Sequence, residues 1–525
     1  MCMSKIDLED SKTWDLFKNG YTKGVFQLES NLGKAWAKKL APSNLEELSA
    51  LIAIIRPGTL KAITDGKSMT QRYVDRKHGR EEVTYLHESL EEILKPTYGV
   101  LVYQEQSMRI AQKLAGFDLK EADELRKAIG KKKADLMAEV KKAFLKGATS
   151  KGIVTKETAE AIFSWIEKSS RYAFNKSHSI AYAKDAYMAA WYKANHTKEF
   201  FLSYLYHAAD KQDPHQEVYE LVSEAKLFDI EVKIPNLTRF STKFDILGKD
   251  IYFGIKDVKS LTGVSGDKVI SILEEVESEI GKKSKDFTWL DVLMFLSPKI
   301  NATSFKALAS IGFFSTKSTG VSRNKALYEY EIFRILTKKE KEWAINYHTS
   351  DGQWENLKDC LAALQPTKKE GGGTSTKARS QVIQNELDMI DDPPFSLDDD
   401  PSWIIDQEIK FLGCPVSLAR IDAADTSAAT TTCKEIVDGK HGKNLCVAGN
   451  IVRINSVKTK NGKNPGQLMC FLTIEDETCT LDSVVVFPEA RKKYEYMLYE
   501  GNNLLFCGEV KRGDNSFIIE KIHEI

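Results

Sequence analysis

Residues 171–182 read Arg-Tyr-Ala-Phe-Asn-Lys-Ser-His-Ser-Ile-Ala-Tyr, and this stretch directs the interpretation of the whole chain. Apolar residues normally dominate the start of a helix, but here four polar residues, 175–178, follow the rings of Tyr172 and Phe174. A lone aromatic ring or histidine is more often a core residue than a ligand. Together, however, cations and aromatic faces can hold a phosphate, a sugar and a stacked base. The segment therefore predicts part of a nucleotide site in a mainly helical region.

A second basic block lies about forty residues upstream, where residues 125–133 read Leu-Arg-Lys-Ala-Ile-Gly-Lys-Lys-Lys. On a helix, Arg126 and Gly130 share a face, and Gly130 could end the helix so that the following amides and lysines approach a phosphate chain. The alternative interpretation is a solvated helix surface. The block alone does not decide between them.

Composition sets limits on the class of protein. A chain of 525 residues holds several domains, and its formal net charge of zero argues against attraction of the whole molecule to nucleic acid. The charge is nevertheless uneven, because residues 101–200 are basic and residues 381–410 are acidic.

The eight cysteines form no C-x-x-C pair, which predicts reduced, mostly buried thiols in an intracellular protein. The N-terminus has no apolar signal run, and no stretch reaches the ~18 apolar residues of a membrane span. We expect a soluble, cytoplasmic protein with no membrane partner.

Periodicity divides the chain into regions. Apolar residues at three- and four-residue spacing, as in 86–94 and 158–168, predict a helical region up to about residue 240. Alternation at 244–247 and 251–255 then predicts a small hairpin, followed by more helices to about residue 365. Residues 366–402, with a glycine run and clustered Asp and Pro, predict a flexible acidic linker.

The last ~85 residues alternate strongly between apolar and polar positions. Five strands are expected there, with a helix between the third and the fourth, which is typical of an OB-type barrel. The predicted fold class is therefore a multidomain α+β protein: a mainly helical domain, a small helix-hairpin-helix domain and a C-terminal β-barrel of the OB-fold type.

Two short motifs indicate partners. Residues 258–273 predict two short helices around a hairpin whose amides could contact a DNA phosphate; the candidate DNA-binding residues are Gly263, Ser265, Gly266 and Lys268. Ser265 replaces the usual second glycine, and an ordinary helix turn is the alternative. In the acidic linker, Gln384, Leu387 and Met389 could dock as a short peptide in a pocket, although such patterns often arise by chance.

Taken together, these segments resemble the alpha subunit of bacterial replicative DNA polymerase III (family C). The resemblance runs in order along nearly the whole chain and is highly specific in combination. It is carried by residues 24–30 (GVFQLES), 55–58 (IRPG), 73–79 (YVDRKHG), 96–106 (PTYGVLVYQEQ), 122–132 (ADELRKAIGKK), 174–178 (FNKSH), 471–477 (FLTIEDE) and 484–488 (VVVFP).

The resemblance implies a domain order and a nucleotide site. Residues 1–240 would be the fingers domain, 241–365 a duplex-gripping domain with the helix-hairpin-helix, 366–402 a linker with a clamp-binding peptide, 403–440 a connection and 441–525 the OB-fold. Arg126 and Lys127 match paired basic residues on the triphosphate, Tyr172 matches a residue near the nascent base pair, and His178 one near the sugar. The full predicted nucleotide-binding set is Arg126, Lys127, Lys131, Lys132, Tyr172, Asn175, Lys176 and His178.

Two of these positions depart from the family pattern. Lys127 stands where the family has a second arginine, and a lysine loses bidentate geometry. Ala173 replaces a glycine, so the local backbone can differ.

In the family, a palm domain with three aspartates that bind two Mg²⁺ ions precedes the 24–30 motif. Phosphoryl transfer needs such metal ions to bridge the attacking oxygen and the triphosphate. We therefore expect no catalytic and no metal-binding residue in this chain, with Mg²⁺ bound mainly through the dNTP and a palm-bearing partner. The leading hypothesis is a split replicative polymerase, inactive alone, whose partners are dNTP, primer-template DNA, the palm-bearing chain and a sliding clamp. A split gene of this kind suggests a compact genome such as a phage's. The alternative is a non-catalytic DNA-binding or replisome scaffold protein derived from a polymerase.

Overall fold

The computed structural model of the chain describes residues 6–61, 63–64, 66–131, 134–169, 172–350, 354–440, 442–459, 465–511 and 516–525. They form two compact units, an N-terminal unit of residues 1–200 and a C-terminal unit of residues 201–525. The division falls before the predicted fingers boundary at residue 240. The fold class is confirmed: a largely helical chain ends in a closed five-stranded barrel.

Helices dominate the N-terminal unit, as the periodicity predicts. Polar side chains start several of them: Asp10, Ser30, Asn44 and Ser68 each accept a hydrogen bond from a backbone amide in the first turn that follows. The helices are α1 (Ser11–Asn19), α2 (Asn31–Leu40), α3 (Leu45–Ile54), α4 (Pro57–Lys61), α5 (Met69–Lys77), α6 (Glu91–Leu94), α7 (Gln104–Ala115), α8 (Leu119–Lys131), α9 (Ala134–Lys151), α10 (Lys156–Ser169), α11 (Lys176–Asn195) and α12 (Thr197–Tyr206), which runs across the division; strands β1 (Ile63–Thr64) and β2 (Lys67–Ser68) pair antiparallel.

Helix α11 is fixed at both ends by buried polar contacts. Near its start, the Ser179 hydroxyl donates to the Ser49 carbonyl in α3 (2.6 Å), and the Ser49 and Tyr103 hydroxyls lie 2.9 Å apart. Near its end, the fully buried Lys193 ammonium donates to the carbonyls of Tyr21 (3.1 Å) and Lys23 (2.7 Å). Because buried polar groups cost free energy unless they are paired, these bonds favour one position of α11.

The C-terminal unit begins with helices and a small sheet. The predicted hairpin is present: β4 (Asp245–Leu247) pairs antiparallel with β5 (Asp250–Tyr252), and β3 (Val232–Lys233) lies parallel to β5 on its other side. The elements before the barrel are α13 (Pro214–Lys226), β3 (Val232–Lys233), β4 (Asp245–Leu247), β5 (Asp250–Tyr252), α14 (Val264–Ile280), α15 (Trp289–Asp291) followed by a π-helical turn (Val292–Leu296), α16 (Ala302–Ser310), α17 (Arg323–Ile335), α18 (Lys338–Ser350), α19 (Leu357–Leu364), α20 (Lys377–Asp391), α21 (Pro401–Leu412) and α22 (Cys433–Val437).

The barrel has the five strands and the intervening helix that the alternation predicts. They are β6 (Leu445–Lys458), β7 (Leu468–Glu475), β8 (Thr480–Val486), α23 (Pro488–Tyr494), β9 (Asn503–Val510) and β10 (Phe517–Glu524). The strand order is β10-β8-β7-β6-β9, and β10 closes the ring by pairing parallel with β8 and antiparallel with β9. Closure leaves no unpaired edge, which suits an independent β domain.

The predicted flexible linker, residues 366–402, instead contains helix α20 and a few buried residues. Two of its glycines are required by close packing, because a Cβ at Gly372 would lie 2.0 Å from the Pro366 oxygen and one at Gly373 would lie 2.7 Å from the Trp343 ring. Its acidic residues cap helices: Asp399 accepts the amides of Arg323 and Asn324 (both 3.0 Å). Composition therefore misled the prediction, since the same residues serve turns and caps.

Two substitutions on helix α20 test whether this segment is folded and not a flexible linker. Leu387 is buried on it with 8% exposure, whereas Met389 is 40% exposed. We expect Leu387→Ala to lower the free energy of unfolding by about 2 kcal/mol, because it removes buried methyl groups and leaves a cavity. Met389→Ala, the matched control, should have a much smaller effect. Urea denaturation of both variants measures the difference, and equal small effects would restore the linker interpretation.

The cysteines differ in part from the expected reduced thiols. Cys446 and Cys507 face each other across β6 and β9 and form a disulfide. The other described cysteines, at positions 360, 414, 433, 470 and 479, are free and buried.

Among the helices that the structure describes, none has the length and apolarity to span a bilayer.

Candidate nucleotide site

The start of helix α11 is stabilised by its N-cap residue and by a carboxylate that is far away in the sequence. The Asn175 side-chain oxygen accepts the His178 amide (2.8 Å), so Asn175 is the N-cap. Its Nδ2 donates to Glu105 Oε1 (2.9 Å), and the Lys176 amide donates to Glu105 Oε2 (2.9 Å). Both oxygens of Glu105 therefore bind the first turn of α11, where the helix dipole favours a negative charge.

The extended segment Tyr172–Phe174, just before α11, is fixed by two neighbours. Phe174 forms a short parallel bridge, donating to the Val102 carbonyl and accepting from the Gln104 amide (both 2.9 Å). The Arg56 guanidinium donates to the Tyr172 carbonyl (2.8 Å) and lies 4.4 Å from the centre of the Phe174 ring. Burial lowers the pKa of Arg56.

Aromatic rings form a row along this surface. The ring centres of Phe174 and His178 are 5.4 Å apart, those of His178 and Tyr182 4.0 Å, and those of Tyr182 and Phe26 5.0 Å. His178 is exposed, and Tyr172 and Phe26 are 38% and 37% exposed. Exposed π-faces of this kind can stack on a nucleobase.

Lys176 contacts a residue of α3 and the residue that precedes α7. Its ammonium lies 3.0 Å from a carboxylate oxygen of Glu46 and 5.5 Å from the centre of the Tyr103 ring. The pair is partly exposed, at 38% and 49%, so exchange of Glu46 for a phosphate costs little free energy.

The predicted triphosphate residues Arg126 and Lys127 lie together on α8, and one carboxylate binds both. Asp123 is 2.8 Å from Arg126 Nη2 and 2.7 Å from Lys127 Nζ. Hydrogen bonds from Lys127 and Arg126 lower the pKa of Asp123. Both cations are partly exposed, so a phosphate can approach them. The side chain of Lys131 and the whole of Lys132 lie outside the described residues.

The structure thus gives two groups of predicted site residues. Tyr172, Asn175, Lys176 and His178 lie within seven residues around the start of α11, with Lys176 and His178 contacting different neighbours, while Arg126 and Lys127 share one turn of α8. Helix α7 is a common neighbour: α8 packs on it, and the Phe174 bridge forms with the residues that precede it. Among the described residues, no hydrogen bond or ion pair joins the two groups directly.

Sequence reasoning missed Arg56 and Glu105 as parts of this arrangement. Both lie in motifs that carry the resemblance, 55–58 and 96–106. The polar pair Glu105-Gln106 at a helix start was the one sequence feature that could have indicated Glu105. The contacts of Arg56 and Glu105 span 116 and 70 residues of sequence, which local patterns do not reveal.

The described residues offer no fit for a resident metal ion. Among them, no group of three or more His, Cys, Asp or Glu side chains is arranged to hold one. Asp123, Glu105 and Glu46, which contact the predicted nucleotide residues, are engaged with cations and amides.

The predicted DNA-binding hairpin has only one α-helix beside it. Two 3-10 turns, Ile255–Asp257 and Lys259–Leu261, replace the expected first helix, because the Asp257 carboxylate accepts the Gly254 amide (3.0 Å) and stabilises a tight turn. Gly263, with φ of 66°, then leads into α14. Gly266 is buried against the 3-10 turn, Ser265 is half-buried and Lys268 is exposed. A role of these four residues in DNA binding stays a prediction.

Asp257, which precedes this hairpin in the sequence, leads to a prediction about how stability depends on pH. Burial raises its pKa to about 6, above the ordinary 3.8. Its contribution to stability is therefore fully present below pH ~4 and is lost as pH rises through ~6. We expect Asp257→Asn, which keeps the acceptor oxygen, to be more stable than the parent at pH 7 and similar at pH 4. Urea midpoints at both pH values test this; equal differences at both would contradict it.

The predicted clamp-binding residues lie on α20. Gln384 donates to Asp388 one turn along (2.9 Å), Leu387 is buried, and the Met389 carbonyl accepts from the Tyr328 hydroxyl (2.8 Å). Docking as an extended peptide would require this turn to unwind. The clamp role stays a prediction.

The sequence of this chain is similar to those of several known proteins. Residues 1–152 match the family described as the bacterial DNA polymerase III alpha subunit finger domain. Among curated relatives, DNA polymerase III subunit alpha of Aquifex aeolicus is 40% identical over 313 residues, which is 59% of this chain and 25% of the relative. The subunits of Pasteurella multocida and Bacillus subtilis are 32% and 30% identical, over 97% and 99% of this chain. The chain spans 40% and 42% of the length of those two relatives.

Proposed function

Because this chain is homologous to bacterial DNA polymerase III alpha subunits over nearly its whole length, we propose that it binds the incoming deoxynucleotide and primer-template DNA during template-directed DNA synthesis. The observation that carries the proposal is the surface at the start of α11. There Tyr172, His178 and Lys176 offer an aromatic face, an imidazole and a cation within seven residues of sequence. That combination suits a base, a sugar and a phosphate.

Arg126 and Lys127 would take the triphosphate. Asp123 holds their side chains beside each other, and the triphosphate would replace it as their anionic partner. Lys131 and Lys132, which follow in the same basic block, would add positive charge, while Asn175 would act mainly by capping α11. In the C-terminal unit, the hairpin at 263–268 and the barrel would contact DNA, and α20 a sliding clamp.

The metal-binding carboxylates would come from a palm-bearing polypeptide outside these 525 residues, in the split arrangement from a separate chain. Mg²⁺ would then be held mainly by that partner and by the dNTP, and would neutralise the charge that develops on the triphosphate. The residues of this chain would bind and orient the nucleotide. Such an assembly would work in the replisome of a bacterial cell.

Crosslinking tests the nucleotide site directly. A photoreactive deoxynucleoside triphosphate is bound to this chain together with primer-template DNA, Mg²⁺ and the palm-bearing polypeptide, and the modified peptides are identified by mass spectrometry. We expect crosslinks in residues 172–182 that excess unlabelled dNTP abolishes. Crosslinks confined to other surfaces, or labelling that dNTP does not compete, would favour the scaffold function.

A further inference from the structure

Three residues from outside the 172–182 segment contact its backbone or its leading ring. Arg56 binds the Tyr172 carbonyl, Glu105 binds the first turn of α11, and Gly58 lies under the Tyr172 ring. We infer that Arg56, Gly58 and Glu105 form a seat that sets the position of the Tyr172 ring, and through it the affinity and selectivity for the paired nucleotide. This inference rests on the nucleotide-binding function proposed above.

Gly58 is the part of the seat that needs its residue type most. A Cβ at this position would lie 2.7 Å from Cδ1 of Tyr172, closer than non-bonded carbon atoms approach in proteins, and 3.1 Å from Cε1. Gly58 has no left-handed backbone angle and lies in the first turn of α4, so alanine fits its conformation and even favours the helix. Glycine here is therefore required by the Tyr172 ring and not by the backbone.

Arg56 and Glu105 fix the backbone that follows the Tyr172 ring. Arg56 Nε also donates to the Ala53 carbonyl at the end of α3 (2.8 Å), so its guanidinium joins α3 to the Tyr172 carbonyl. Glu105 has both oxygens engaged by Asn175 and Lys176. The Tyr172 amide also donates to the Ser169 carbonyl (3.0 Å), so the remaining freedom of Tyr172 is rotation of its side chain, which Gly58 limits on one face. The three are positioning residues, since each acts through Tyr172 or α11.

The test uses Gly58→Ala in the reconstituted polymerase, with Gly442→Ala as the matched control. Gly442 also lacks a left-handed backbone angle, and a Cβ there meets no atom within 4 Å. We expect Gly58→Ala to raise the KM for the correct dNTP about tenfold and to lower discrimination against a mispaired dNTP. Its melting temperature should be unchanged or higher, and Gly442→Ala should change none of these values.

A double-mutant cycle separates the seat from a general defect. In a Tyr172→Ala background the ring is gone, so Gly58→Ala should have no further effect on the KM. An undiminished effect there, or no effect in the parent, would overturn the inference. If Tyr172→Ala and Arg126→Ala also leave the KM unchanged, the proposed nucleotide function itself fails, which is a distinguishable result.

Discussion

Replacing Glu408 with alanine should lower the free energy of unfolding of the C-terminal unit by about 3–5 kcal/mol, because it leaves a buried guanidinium without its counter-charge. Arg323 Nη2 lies 2.8 Å from Glu408 Oε1, and the two side chains are only 6% and 0% exposed. Glu408 Oε2 also accepts the amides of Val416 (2.6 Å) and Ser417 (2.9 Å). One carboxylate thus joins α17, α21 and the segment after α21.

Hydrogen exchange measured by mass spectrometry on peptides of α21 in urea gives this free energy for the unit. Lys338→Ala is the control, because the Lys338–Glu342 pair has its charged atoms 3.9 Å apart and its lysine is 91% exposed. It should have no measurable effect. A loss below 1 kcal/mol for Glu408→Ala would show that the buried pair is dispensable.

The second large effect concerns the cations on α8. Arg126→Ala should raise the KM for dNTP about tenfold and Lys127→Ala somewhat less, with smaller changes in kcat, since a hydrogen bond to a charged group contributes about 1.5–3 kcal/mol. Each substitution would remove a contact with the triphosphate and would leave the contacts with DNA in place. Steady-state kinetics in the reconstituted polymerase measure the two constants separately.

Lys142→Ala provides the control for charge alone. Lys142 belongs to the same basic stretch but is exposed on α9. It should leave the KM for dNTP unchanged. If the α8 variants instead weaken binding of primer-template DNA and leave the KM for dNTP unchanged, α8 serves as a DNA-binding surface and the scaffold function gains support.

The parts of the fold that sequence predicted well are those with a strict period. The alternation in β6 to β10 follows from side chains that point in turn into and out of a barrel, and the hairpin of β4 and β5 follows the same rule. Where residue types have several uses, prediction failed. Asp399 and Gly373 fit a flexible linker by composition, yet in the structure one caps a helix and the other packs on Trp343.

The candidate site divides in the same way. The segment 172–178 was identified from its own composition, and its residues lie around the start of α11; their role in nucleotide binding stays a prediction. Arg56 and Glu105 act across long sequence separations, so only the three-dimensional structure brings them to it. Likewise, the basic block predicts Arg126 and Lys127 as neighbours, but their common bond to Asp123 depends on side-chain conformations that spacing alone does not fix.

Primer extension tests the central claim most directly: that this chain seats the nucleotide while carboxylates outside it hold the metal ions. Purified chain, primer-template DNA, dNTP and Mg²⁺ are incubated with and without a palm-bearing polypeptide. We expect extension only when both proteins are present, and a much higher dNTP requirement with Tyr172→Ala. Extension by this chain alone, or extension by the partner that is the same without this chain, would contradict the account.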